Sequence, residues 1–64
     1  MRMTIEEREE FREDATIVAA AARARGEDPD AALASRFDAA RRRHPEDAGW
    51  LLGLRDRLGW RPVV

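Results

Sequence analysis

The chain has 64 residues, no cysteine, one histidine and a near-balanced charge, 13 acidic against 12 basic residues for a net −1. So short a chain has room for one domain, and folding hides only about 60% of the surface that its unfolded form exposes. Without cysteine there is no disulfide and no thiolate metal site, a lone histidine cannot anchor an imidazole site, and the balanced charge gives no overall pull toward nucleic acid or anionic membrane.

We read residues 1–64 as a single all-α domain of three helices. The first is expected over about residues 4–25. Thr4 followed by Glu7 makes a capping box, in which each side chain satisfies a backbone N–H that the helix start leaves open. Glu6 and Glu7 suit the positive end of the helix dipole, and Arg23 and Arg25 suit the negative end. Gly26 then supplies the left-handed residue on which helices commonly end.

The two halves of this helix differ. The first half carries like-charge pairs four residues apart: Glu6/Glu10, Glu9/Glu13, Glu10/Asp14 and Arg8/Arg12. Each costs an isolated helix a few tenths of a kcal/mol, so these groups call for partners outside the helix. The second half, residues 15–22, passes without a charge. Phe11, Ala15, Val18 and Ala22 form one stripe for a core, while Ile17 lies about 100° from Val18 and misses it. A helix that is apolar all round is normally covered all round. The cover comes either from the other two helices or from another chain, and alanine's helix propensity alone accounts for an uncovered alanine but not for Ile17.

The second helix is expected over about residues 29–43. Asp28 caps it, and Pro29 sits where a missing N–H costs nothing. Leu33, Phe37 and Ala40 recur on one face. Pro45 disfavours helical geometry at His44 and ends the segment. The short Gly26 turn implies an antiparallel hairpin with the first helix. That hairpin brings residue 43 back near residue 11, so Arg41, Arg42 and Arg43 are expected beside Glu10, Glu13 and Asp14. The third helix, about residues 46–58, packs across the hairpin through Trp50, Leu51, Leu54 and Leu58. Gly49 and Gly53 weaken it but share a face that another helix could approach closely. Gly59 ends it, Trp60 is placed to fold back toward Leu54, and residues 61–64 form an extended tail.

Arg41-Arg42-Arg43-His44 is the basic run of the chain. Three short helices are also the frame of a helix-turn-helix, whose recognition helix points its first residues at base edges. Here that helix would begin Pro45-Glu46-Asp47, and two carboxylates repel DNA. The run therefore reads first as a helix end that complements its dipole and pairs with the first helix. His44 reads as a solvated helix-end residue with no nucleophile or metal partner, and no cofactor, metal or small-molecule site is evident. The N-terminal ten residues lack the apolar core of a signal peptide and no stretch has the length of a membrane span, so a cytoplasmic location is expected. All basic residues are arginine and alanine is abundant, which suggests a GC-rich bacterial or phage source.

The functional expectation is a non-enzymatic protein–protein interaction module. It would act as a small homo-oligomer or as an accessory or inhibitory subunit of a larger bacterial or phage protein. Its contacts are expected among the apolar residues off the core, namely Ile17, Ala21, Leu52, Trp60 and Val63. The alternative is a small DNA-binding regulator using Arg41–Arg43.

Overall fold

The computed structural model describes residues 1–59. Three helices follow in chain order: α1 (Ile5–Ala24), α2 (Pro29–Arg43) and α3 (Ala48–Leu58), with a 3-10 turn at Pro45–Asp47 between the last two. The caps anticipated from sequence set the first two boundaries. Thr4 Oγ1 accepts the Glu7 N–H at 3.1 Å, and the Glu7 carboxylate accepts the Thr4 N–H at 2.9 Å. At the other end of α1, Gly26 has φ of 72°. Its N–H reaches the Arg23 carbonyl at 3.1 Å and the Glu27 N–H reaches the Ala22 carbonyl at 2.8 Å, the pair of bonds of a Schellman turn. Asp28 then accepts the Asp30 N–H at 3.0 Å, and α2 starts on Pro29.

This turn folds α2 back along α1, so Phe11 meets Phe37 edge to face with ring centroids 5.0 Å apart. The seam of α1 is made of alanines: Ala15, Ala19 and Ala22 are buried at helical spacing, with Phe11 and Val18 at its edge. Such small side chains let the helix axes approach closely, and the bulk of the core comes from the facing elements. Leu33, Phe37, Leu51 and Leu54 are buried with Ala15, Ala19 and Ala40, and Met3, Trp50 and Leu58 close over them. The molecule is elongated, 38 × 18 × 16 Å, because α1 is nearly twice as long as α3.

The third helix begins later than the spacing suggests, at Ala48 rather than residue 46, because residues 45–47 form the 3-10 turn. The reason is Asp47. Its side chain turns inward, 2% exposed, where it accepts the Met3 N–H at 2.7 Å and the guanidinium of Arg8. A residue held in that way tightens the turn instead of starting α3. Gly59 ends α3 as anticipated, yet not through a left-handed backbone. A Cβ there would stand 3.1 Å from the Asp30 Cβ and from the Arg55 carbonyl oxygen, so glycine lets the chain pass close to the start of α2 where a side chain would push Asp30 aside by a few tenths of an ångström. Arg55 Nε donates to Asp30 Oδ1 at 2.8 Å across the same junction. Gly49 and Gly53 serve no such purpose, because nothing stands within 4 Å of where their Cβ atoms would be. The close helix approach that their spacing allows does not occur among the described residues. Trp60, Val63 and the tail lie outside the described residues.

Candidate interaction surface

The uncharged half of α1 is only partly covered. Ala15, Ala19 and Ala22 are buried, Val18 and Ala21 are half-buried, and Thr16, Ile17 and Ala20 are exposed. Ile17 lies two residues from both Ala15 and Ala19, about 160° around the helix from each. It is 67% exposed, so α2 and α3 do not supply its cover. It stands in a shallow groove with Arg12, Glu13 and Thr16. Leu52 is 60% exposed and likewise lies on the side of α3 away from buried Leu51 and Leu54. Ile17 and Leu52 thus point away from the shared core on different helices, and Ala21 sits at the margin of the α1–α2 seam. Of the off-core residues picked from sequence, Ile17 and Leu52 are solvent-facing as the periodicity requires, Ala21 is half-buried, and Trp60 and Val63 fall outside the described residues.

One exposed residue escapes the sequence reading. Ile5, in the first turn of α1, is 78% exposed and borders a groove with Arg8, Glu9, Arg12, Trp50, Leu54 and Arg57. Its position four residues before Glu9 and twelve before Ile17 carried the signal, but a first-turn isoleucine is easily read as part of the cap.

The arginine run is split by the helix. Three consecutive residues span roughly 200° of its circumference, so they cannot all face α1. Arg43 shares a groove with Glu7, Glu10, Asp14 and Arg36, whereas Arg41 and Arg42 border a different one with Asp38, Pro45 and Ala48. Among the described residues no ion pair joins Arg41, Arg42 or Arg43 to Glu10, Glu13 or Asp14. The expected register of the hairpin is present, but its expected ion pairs are not. Glu13 in particular stands beside Ile17, on the far side of α1 from α2.

The inward Asp47 revises the electrostatics of the elbow. The Met3 N–H, then the Arg8 guanidinium, hold its carboxyl below its usual 3.8, because both favour the charged form. Arg8 lies over the Trp50 ring at 4.9 Å, a cation–π arrangement that covers the guanidinium face. Its Nε is buried without a hydrogen-bond partner. Glu46 is the elbow's outward carboxylate, and the N-terminal amine stands 3.2 Å from it. His44 is half-buried rather than freely solvated, with Nδ1 against the Met1 carbonyl.

Among the described residues no group of three or more His, Asp or Glu side chains could hold a metal ion, and no helix is long and apolar enough to cross a membrane. What the arrangement offers chemically is contact: an exposed isoleucine face on α1 and a pair of outward arginines on α2. Neither a family model, nor a curated protein, nor a solved structure matches this chain.

Proposed function

We propose that this chain is a protein–protein interaction module whose contact face is the outer side of α1 around Ile17. The observation that carries the reading is a two-thirds exposed isoleucine set in the uncharged half of a helix whose core face is already satisfied by Ala15, Ala19 and Ala22. A lone exposed aliphatic needs no explanation, but here Ile17 adjoins exposed Thr16 and Ala20 on one side and Arg12 and Glu13 on the other, an apolar centre edged by charges of both signs. The partner is a second copy, or a larger protein to which the chain is an accessory or inhibitory subunit.

The test compares the chain with its Ile17→Glu variant. Because Ile17 faces away from the core, the variant is expected to fold with a stability within about 0.5 kcal/mol of the parent. Both are then used as bait in the native host under identical conditions. The reading requires a bound protein, or self-association, that the variant loses. An identical set of bound proteins for both baits, with no change in self-association, removes it.

A second reading rests on a separate observation. Arg41 and Arg42 are exposed with no ion pair among the described residues, and Asp47 is turned inward and neutralised by Arg8. One of the two carboxylates that argued against a nucleic-acid contact at the elbow is therefore out of the way. A DNA-binding regulator using Arg41–Arg43 would bind with a log–log salt slope of about −2 from the two outward arginines, approaching −3 only if Arg43 also turns to a phosphate, by counterion release at about 0.9 per phosphate neutralised. Absence of binding to duplex DNA at low salt ends that reading.

A further inference from the structure

The outer side of α1 has a pattern that narrows its partner. Ile5, Glu9, Glu13 and Ile17 follow one another at intervals of four, forming a single ridge along the helix, and Arg12 and Thr16 lie on the ridge beside it. All six are exposed. Among the described residues the side chains of Glu9, Arg12 and Glu13 make no ion pair or hydrogen bond, the Thr16 hydroxyl bonding only the Arg12 carbonyl, and Glu9 and Glu13 repel each other along the ridge. The ridge is symmetric about its middle: an isoleucine at each end, an acid inside each isoleucine, and an arginine next to the centre.

We propose that this ridge is a self-complementary surface and that its partner is a second copy of this chain, with the two α1 helices antiparallel about a two-fold axis near residue 11. The proposal rests on the interaction reading above. Antiparallel pairing about that centre sets Ile5 of each copy against Ile17 of the other, the two residues being about 18 Å apart along one helix. Arg12 of each copy then lies level with the gap between Glu9 and Glu13 of the other and cancels the repulsion that these acids have within one chain. A two-fold contact uses the same patch twice, so two isoleucine pairs and two arginine–acid clusters form together. Fitting the ridge of one helix into the groove beside that of the other is the commonest packing of helices in globular proteins. The groove with Trp50 and Arg57 flanks the ridge and widens the contact. The charges belong to the choice of partner and register, and the isoleucines to affinity.

The experiment is sedimentation equilibrium on the full chain from about 10 μM to about 1 mM, the range suited to an interface below the ~1,200 Å² of a stable complex. The parent is expected to dimerise. Arg12→Glu makes the ridge wholly acidic, and the Glu9→Arg/Glu13→Arg double variant makes it wholly basic. Each alone is expected to self-associate at least about tenfold more weakly, because like charges then face each other. An equimolar mixture of the two is expected to recover the dimer. A parent that stays monomeric throughout, swap variants that dimerise as well as the parent, or a mixture that stays monomeric each overturn the proposal.

A second measurement needs no charge change. The chain has no cysteine, so Ile5→Cys and Ile17→Cys chains are oxidised mildly, separately and mixed. The mixture is expected to give a cross-linked dimer well above the level of either variant alone. Cross-linking that is equal in all three samples overturns the register. A monomeric parent whose host partner is still lost on Ile17→Glu removes the second copy but leaves the interaction reading intact. A partner set indifferent to Ile17→Glu removes that reading itself.

Discussion

Asp47 is the charged residue that this fold buries among those described. It is nearly fully buried, and its two oxygens tie the start of the chain and α1 to the elbow between α2 and α3. A buried charge is tolerated only when it is paired and hydrogen-bonded, and here one partner is a cation and the other a backbone N–H. The sign of its pH effect follows from the lowered pKa. The stability that Asp47 contributes is in full above its ordinary 3.8 and is lost as the pH falls below that value and through the lower pKa of the folded state. Asp47→Asn keeps an acceptor for the Met3 N–H but leaves Arg8 an uncompensated cation. The variant is expected to have a lower Tm at pH 7 and a smaller fall in Tm between pH 5 and pH 2.5. Thermal melts followed by circular dichroism check both, and a parallel fall for the two proteins would show that Asp47 is not the group responsible. Nothing in the local sequence distinguishes Asp47 from Glu46, and a Pro-Glu-Asp start reads as a solvated first turn. Its inward direction depends on Arg8, 39 positions earlier, and on Trp50, so only tertiary structure reveals it.

The elements themselves were legible where a local rule decides them. Thr4 with Glu7, Gly26, Asp28 with Pro29, and Pro45 fix helix ends through bonds made within a few residues, and all of them act as their chemistry requires. The apolar periodicity of α2 likewise names its buried residues, Leu33, Phe37 and Ala40. Periodicity is a weaker guide in α1, where alanine fills several faces. Ala19 is buried although the expected stripe favoured Val18, because the close approach of two helices selects the smaller side chain. The glycines of α3 divide along similar lines. Gly59 is crowded by its neighbour Asp30, whereas Gly53 faces open space in a helix interior. Gly53→Ala is therefore expected to raise the stability by about 0.5–1 kcal/mol, the difference in helix propensity, without disturbing a contact. Urea unfolding at constant m-value measures it, and a loss of stability would mean that this face is occupied.

At the scale of the whole molecule, a chain of this length holds about 3–10 kcal/mol of folding free energy. Four large side chains, Leu33, Phe37, Leu51 and Leu54, supply most of the buried bulk. Phe37 is the largest of them, fully buried and in edge-to-face contact with Phe11. Phe37→Ala is expected to cost about 3–5 kcal/mol, enough to take the isolated chain to the edge of unfolding at 37 °C. A cooperative melt that shifted by only a few degrees would place the main support elsewhere in the core, on Leu33, Leu51 and Leu54. The surface is legible to the same uneven degree. Ile17 and Leu52 declare themselves by missing the core stripe, while Ile5 and the unpaired state of Glu9, Arg12 and Glu13 depend on what the other helices leave open.

The elbow has one more consequence, in the order of events along the folding path. The α1–α2 hairpin closes over a turn of a few residues, and α2 with α3 over another, so both pairings are entropically near at hand. The bond from Met3 to Asp47 spans 44 positions of the chain. It forms once the α1–α2 hairpin has carried the end of α2 back to the start of α1, so Asp47→Asn is expected to raise the unfolding rate more than it lowers the folding rate, which a stopped-flow chevron measures. On that expectation Asp47 is a latch, acting on the lifetime of the folded state more than on the search that finds it.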